Sequence, residues 1–300
     1  MMAYMAGYKE RIRNVVRRVL APMEKSMLNK HRDLKYRPVF MIGPPRSGST
    51  LLYQLLARRY RCCYFSNLMM NFPLTPISIA RMAKPFNGCD PPDQFENWYG
   101  ETTEWRAPSQ GLPFWFQCLP PVTHELEVDV LTPEISHRIH STMAALQDIY
   151  GAPFINKWQP NSMRLALLAG IFPEALFIRM TRQKRSIIRS ILRARAEICG
   201  SGSGWFSIKP RGYKNMLSRP EVEQVEWQID RIEETIETHM KRIGLDRFYT
   251  VSFEELREHP LVMMDRVNDF YAKNGNSKKL EIRHSIPKVF TARNVEPMGS

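Results

Sequence analysis

The 300-residue chain has no apolar run long enough to cross a bilayer. Its longest apolar stretch, from Leu165 to Met180, is broken by Pro173, Glu174 and Arg179, whereas a spanning helix needs about 20 unbroken apolar residues. The first 30 residues scatter Arg11, Arg13, Arg17 and Arg18 among short apolar pairs. No continuous apolar region precedes a cleavage site, so no secretory signal is expected. These absences predict a soluble, cytoplasmic protein. Cysteine is scarce: Cys62, Cys63, Cys89, Cys118 and Cys199 are odd in number and irregularly spaced, with no C-x-x-C pair and no histidine at metal-ligand spacing. That argues against a disulfide framework and a structural zinc, and for thiols in a reducing compartment. No internal repeat or low-complexity tract is present. With 43% hydrophobic and 24% charged residues, global disorder is excluded. The length favours one large α/β domain, residues 1–300, over two equal halves.

What the chain has in excess is positive charge. Lys and Arg number 43 against 30 Asp and Glu, a formal net charge of +13. Residues 9–37 hold ten basic residues and three acids, and Arg179–Arg195 hold seven basic residues and no acid. Such fields attract nucleic acid, anionic lipid or a polyanionic small molecule, and charge alone does not choose among them. Residues 1–36 read as a basic, weakly amphipathic helical segment outside the core, able to touch an anionic membrane peripherally.

Four short apolar runs read as buried parallel strands: Val39–Ile42, Pro153–Asn156, Ala175–Ile178 and Phe248–Val251. Helical periodicity follows three of them, in Leu51/Leu52/Leu55/Leu56, Ile187/Ile188/Ile191/Leu192 and Leu261/Met264/Val267/Phe270. A longer helix is marked by Val222, Val225, Ile229, Ile232, Ile236, Met240 and Ile243. Strand-then-helix alternation predicts an α/β fold with a central parallel sheet flanked by helices. Residues 69–121 break the pattern. Rich in Pro, Gly and aromatics, they read as a long insertion lining an acceptor site, and residues 276–300 as a C-terminal lid or tail.

The most informative segment is V-F-M-I-G-P-P-R-S-G-S-T-L-L, Val39–Leu52. An apolar strand enters a Gly/Pro/Ser loop that opens into an apolar-faced helix, so backbone N–H groups and the positive helix end converge on an anion. Gly43 and Gly48 let the backbone approach closely, while Ser47, Ser49 and Thr50 add hydroxyl donors. Gly43, Gly48 and Thr50 fit the spacing of the nucleoside-triphosphate loop G-x-x-x-x-G-K-[ST]. However, Ser49 stands where that loop has lysine, and the cation sits inside the loop as Arg46. No later apolar strand ends in the Asp that would help to hold Mg²⁺. The expected guest is a phosphate-like ester, with no metal.

The run P-R-S-G-S-T-L-L resembles the 5′-phosphosulfate-binding loop of the sulfotransferases that use 3′-phosphoadenosine 5′-phosphosulfate (PAPS). A second segment, F-I-R-M-T-R-Q-K-R-S-I-I-R-S, is similar to their 3′-phosphate motif, with Arg182 ending a strand and Ser190 following in the next helix. Gln183-Lys184 replaces the family's usual [DN]-Pro there. The segments I-N-K-W-Q-P-N-S-M-R-L and F-P-E-A-L-F-I-R also look like bacterial and Golgi-type members, and the missing anchor favours the bacterial type; V-S-F-E-E-L-R-E-H-P resembles the family's strand ending in Tyr-Glu-Asp-Leu, with Phe253 at the Tyr position. The resemblance runs through residues 38–275 and implies a P-loop-NTPase-like sulfotransferase fold.

It further implies transfer of a sulfuryl group from PAPS to a hydroxyl or amine of a carbohydrate, glycolipid or small metabolite, releasing 3′,5′-ADP. Arg46 would assist the leaving phosphate, with Ser47, Gly48, Ser49 and Thr50 around it. Arg182 and Ser190 would anchor the 3′-phosphate, and Phe253 would pack on the adenine. Lys157 ends the second strand, where open α/β sheets place ligands, and is expected to face the sulfuryl group. An acceptor hydroxyl needs a base. Related bacterial sequences show Pro-x-Glu where this chain has Pro108-Ser109-Gln110, and Gln110 is no base. Glu104, Glu101 and His124 remain, in that order. Trp98, Tyr99, Trp105, Phe114, Trp115 and Phe116 crowd the same insertion and suit an amphipathic acceptor or core packing. Two readings compete. One is a nucleotide kinase or NTPase with a degenerate loop; the other is a basic nucleic-acid-binding protein, which lacks the expected aromatic interleaving.

Overall fold

The computed structural model describes residues 2–30, 33–119, 124–126, 128–200, 204–274 and 278–290, with side chains from Arg11 onward except that of residue 12. The expected N-terminal segment, insertion and C-terminal tail each include positions outside these residues. In chain order the elements are α1 (Met2–Leu28), β1 (Val39–Ile42), α2 (Ser49–Arg59), α3 (Asn67–Asn71), α4 (Pro76–Ala83), α5 (Leu112–Cys118), α6 (Pro133–Tyr150), β2 (Ile155–Lys157) and α7 (Leu165–Ile171). They continue with β3 (Leu176–Thr181), α8 (Lys184–Cys199), α9 (Tyr213–Met216), α10 (Glu221–Ile243), β4 (Phe248–Ser252), α11 (Phe253–Glu258) and α12 (Pro260–Asn274).

Among the described residues the four strands form one parallel sheet in the order β2-β1-β3-β4, the architecture that the alternating pattern predicts. Val39, Phe40, Met41 and Ile42 are all buried, as expected of a central strand paired on both edges. The chain leaves β1 for β2 on one side and returns for β3 on the other, so a crevice opens at the carboxyl ends beside β1. All four strand ends lead into the candidate residues. Ile42 runs into the Gly43–Gly48 loop, Lys157 closes β2, Arg182 follows β3 and Phe253 follows β4.

Two expectations need revision. The second half of α1 joins the core rather than lying outside it: Met27 is buried with Val16, Leu20 and Met23 packed nearby. The buried Glu24 carboxylate accepts from Ile77 N (3.1 Å), Ser78 N (2.7 Å) and Ser78 Oγ (2.7 Å), capping α4. A carboxylate on exposed helix N–H groups is favourable, so a charged residue anchors α1 where its weak apolar pattern gave no sign of it. The 69–121 insertion is also more helical than its composition indicates. Pro76 and Pro113 stand in the first turns of α4 and α5, where the missing N–H costs nothing. The described part of the C-terminal segment, 278–290, runs along Arg59–Arg61 and Arg257 and forms none of the cleft wall described below. No helix among the described residues is long and apolar enough to cross a membrane.

Candidate active site

The loop after β1 is held at both ends. Gly43 N donates to Ser162 Oγ, and Ser162 Oγ donates to Gly43 O, each at 2.9 Å. At the other end Gly48, with φ +96°, is the N-cap of α2 and makes no side-chain cap. A Cβ there would lie 2.3 Å from the Phe253 ring, so only glycine lets the loop cross this point. The N-terminus of α2 is therefore open toward the cleft, with Ser49 and Thr50 on the wall and Gln159 Nε2 donating to Ser49 Oγ at 3.1 Å.

Arg46 sits at φ +66° in the middle of the loop, an unusual conformation for a residue with a side chain. Its own contacts fix it. Nε donates to Ser190 Oγ at 2.9 Å, its carbonyl accepts from Arg182 Nη1 at 3.1 Å, and its guanidinium lies 4.9 Å from the Tyr99 ring centroid. Burial lowers the proton affinity of Arg46, with further lowering from Arg182 and Arg193, while Tyr99 and Glu197 oppose it. Arg46 and Arg182 meet at one end of the cleft, and an anion bound there relieves their repulsion.

Lys157 is buried at the end of β2 and donates to Gln110 Oε1 at 3.2 Å. Burial pushes its ammonium down to about 7, Arg46 adds to the lowering, and Glu101 opposes it. Gln110 in turn donates through Nε2 to Glu101 Oε1 at 2.8 Å. The amide thus links the buried cation to an exposed carboxylate.

A tight turn completes the site. Trp98 and Glu101 exchange backbone hydrogen bonds at 2.8 and 2.9 Å, and both central residues, Tyr99 and Gly100, have positive φ, the geometry of a primed hairpin turn. Asn97 Oδ1 accepts from Gly100 N. The turn tip presses against the chemistry: a Cβ on Gly100 would lie 3.3 Å from both Lys157 Nζ and Thr50 Oγ1. Tyr99 reaches across to α8, where its hydroxyl donates to Glu197. Sequence reasoning noted the aromatics of N-W-Y-G-E but passed over the Tyr-Gly turn. The glycine at the second turn position was the available signal.

The cleft encloses about 300 Å³, and its wall includes Arg46, Gly48, Ser49, Thr50, Glu101, His124, Lys157 and Arg182. Ser47 and Ser190 are not on that wall: Ser47 is buried beneath the loop, and Ser190 reaches the cleft through Arg46. Phe253 is buried, with Arg182 4.3 Å above its ring centroid. The structure does not bring Glu104 into the cleft. Its carboxylate is folded back on Arg106, accepting from N at 2.6 Å and Nε at 3.1 Å. His124 does line the cleft, but its Nδ1 accepts from Lys209 N at 2.8 Å, which leaves the ring proton on Nε2. Burial, with help from Arg164 and Lys209, pushes the imidazolium down to about 4. That ring resists taking a second proton. Of the six aromatics in the insertion, Tyr99 and Phe116 face the cleft, whereas Phe114 and Trp115 are buried in the core. Among the described residues no group of three or more His, Cys, Asp or Glu is placed to hold a metal ion.

Comparison with known proteins follows the same lines. The model of the sulfotransferase family matches residues 38–272. The structure is similar to that of sulfotransferase STF9 from Mycobacterium avium, with a TM-score of 0.56 and 14% identity, over 84% of this chain and 67% of that one. It is similar also to sulfotransferase STF1 from Mycobacterium tuberculosis H37Rv, with a TM-score of 0.56 and 14% identity, over 85% and 72% of the two chains. At that identity the likeness shows a shared P-loop-like fold. No curated protein matches the chain significantly.

Proposed function

Because this chain belongs to the sulfotransferase family, we propose that it moves a sulfuryl group from PAPS to a hydroxyl or amine of an acceptor and releases 3′,5′-ADP. One observation carries the reading: the open N-terminus of α2, Arg46, Arg182 and Lys157 come from three strand ends to one cleft. The residues suit the donor. Ser47 Oγ is buried without a hydrogen-bond partner, the helix end is uncapped, and the Arg182 guanidinium is held on the Arg46 carbonyl. In this reading Arg182, with Ser190 behind Arg46, takes the 3′-phosphate. The loop amides with Ser49, Thr50 and Arg46 take the 5′ side. Phe253 supports the loop from below: its edge lies against Gly48, Arg182 covers its face and it forms none of the cleft wall, so the adenine packing expected of it is not part of this reading.

The donor supplies an activated sulfur–oxygen bond. An acceptor oxygen forms a bond to sulfur as the bond from sulfur to the bridging phosphate oxygen breaks, and Arg46 with the loop donors stabilises the charge that gathers there. Lys157, cationic below about pH 7 in the unliganded protein, is held more firmly in that state by the arriving anions and steadies the transferring group. Glu101 is the base of this site. It is exposed to an incoming acceptor, lines the cleft, and is oriented by Gln110, so it accepts the acceptor's proton. Glu104 and His124 do not fill the role.

The test is transfer of labelled sulfuryl from PAPS into lipid, polysaccharide and phenol extracts, paired with melting curves in 3′,5′-ADP, in ATP with Mg²⁺, and in duplex DNA. Selective stabilisation by 3′,5′-ADP, with transfer that survives EDTA, is expected. Selective stabilisation by ATP with Mg²⁺ would turn the reading toward a kinase, and stabilisation by DNA alone toward nucleic-acid binding.

A further inference from the structure

A second cavity, of about 980 Å³, shares Glu101 and Leu112 with the cleft. Its volume is near the upper end of small-molecule sites, about 300–1,000 Å³. Much of its lining is apolar, from Met70, Phe72 and Leu74 at the end of α3 and beyond it. Its charged groups are segregated. Glu101 stands where the cavity meets the cleft, while Arg13 and Arg17 reach it from α1, which forms none of the cleft wall. Arg13 is oriented there, its Nη2 donating to Asn71 Oδ1 at 3.2 Å. The anchoring of α1 through Glu24 and Met27 keeps both guanidiniums over this cavity.

Resting on the sulfotransferase reading of the adjoining cleft, we propose that this cavity holds the acceptor and that the acceptor is an anionic amphiphile. Its apolar body lies along Met70, Phe72 and Leu74. Its hydroxyl is presented to Glu101, and a carboxylate or phosphate at the other end is held by Arg13 and Arg17. The placement of charge requires this polarity, because an anionic group beside Glu101 would be repelled, whereas one beside α1 meets two forks of donors. A neutral sugar would leave both arginines unused and place hydroxyls against apolar side chains.

Equilibrium dialysis of the full chain, without any donor present, tests this with four probes: 12-hydroxydodecanoate, 12-hydroxydodecyl phosphate, 1,12-dodecanediol and octyl β-glucoside. The two anionic probes are expected to bind about tenfold more tightly than the diol, a difference of about 1.4 kcal/mol, and their ratio distinguishes a carboxylate from a phosphate head. The preference should weaken with added salt. The double variant Arg13→Ala/Arg17→Ala should erase it while 3′,5′-ADP affinity and the melting temperature stay unchanged. Leu74→Asp, at the exposed rim, should weaken all three chain-like probes and spare 3′,5′-ADP. Equal binding of diol and acid, an unchanged preference in the double variant, no binding of any chain probe, or tightest binding of the glucoside would each overturn the proposal. Because the measurement needs no transfer, those results leave the donor reading standing. Loss of 3′,5′-ADP binding with the probe pattern intact would instead overturn the donor reading.

Discussion

Replacing Lys157 by methionine should make the protein more stable and nearly inactive. The ammonium is buried, and that burial lowers its proton affinity from 10.5 to about 7. Each tenfold loss of affinity corresponds to about 1.4 kcal/mol, so keeping this cation in the fold costs up to about 5 kcal/mol. Methionine has a similar length and no charge, but it removes the donor on which Gln110 Oε1 depends, at about 1–3 kcal/mol. The balance is a gain of about 2–4 kcal/mol, or about 3–6 °C in melting temperature. The pH dependence follows from the direction of the shift. The unfolded lysine binds its proton up to 10.5 and the folded one only to about 7, so wild-type stability rises with pH across that window. The advantage of Lys157→Met is therefore largest at pH 7 and below and fades toward pH 10. Scanning fluorimetry from pH 6 to 10 gives the stability, and labelled-PAPS transfer gives the activity, expected to fall about 10²- to 10³-fold. A variant that melts below wild type at pH 6, or whose advantage grows with pH, refutes the reasoning.

Other outcomes follow from the same geometry. Arg46→Ala should keep the fold, since the loop stays tied through Ser162, and should lose about 10²- to 10³-fold in turnover; full turnover in a folded variant removes Arg46 from the mechanism. Arg182→Ala should weaken 3′,5′-ADP by about 1.5–3 kcal/mol and 5′-AMP far less, measured by calorimetric titration; equal losses would place Arg182 elsewhere than at the 3′-phosphate. Glu101→Gln should abolish transfer to a hydroxyl acceptor while Glu104→Gln retains most of it, since Glu104 faces Arg106; the reverse pattern restores Glu104 as the base.

The sheet and its loop were readable because local signals coincide there. Continuous apolar runs, glycine at fixed spacing and helical periodicity all agree in β1, the loop and α2, and the strand order then follows from few choices. The cation pair was readable for a related reason, since Arg46 and Arg182 each follow a strand that the pattern had already located. What stayed hidden lies in the insertion and in α1. Their positions depend on tertiary contacts that leave a faint trace in composition. The buried cap made by Glu24 looks, in sequence, like one more acid in a basic helix. Glu104 and Glu101 are nearly interchangeable on paper, three residues apart in one loop. Arg106 decides between them by folding back on the nearer carboxylate.

Gln110 shows how such a site can work without the residue its sequence context suggests. A glutamate at that position would meet Lys157 directly, and a buried lysine–carboxylate pair would hold the proton on lysine and the charge on the carboxylate. The amide separates the two functions. Its oxygen accepts from Lys157 and its nitrogen donates to Glu101, so the carboxylate is displaced toward the second cavity, where an acceptor would arrive. The primed turn at Tyr99–Gly100 makes the displacement possible, because it sets Glu101 one step beyond the glycine that lies against Lys157 and Thr50. In the proposed reaction Glu101, at the junction of the two cavities, would accept the proton, while Lys157, within the cleft, would face the sulfuryl group.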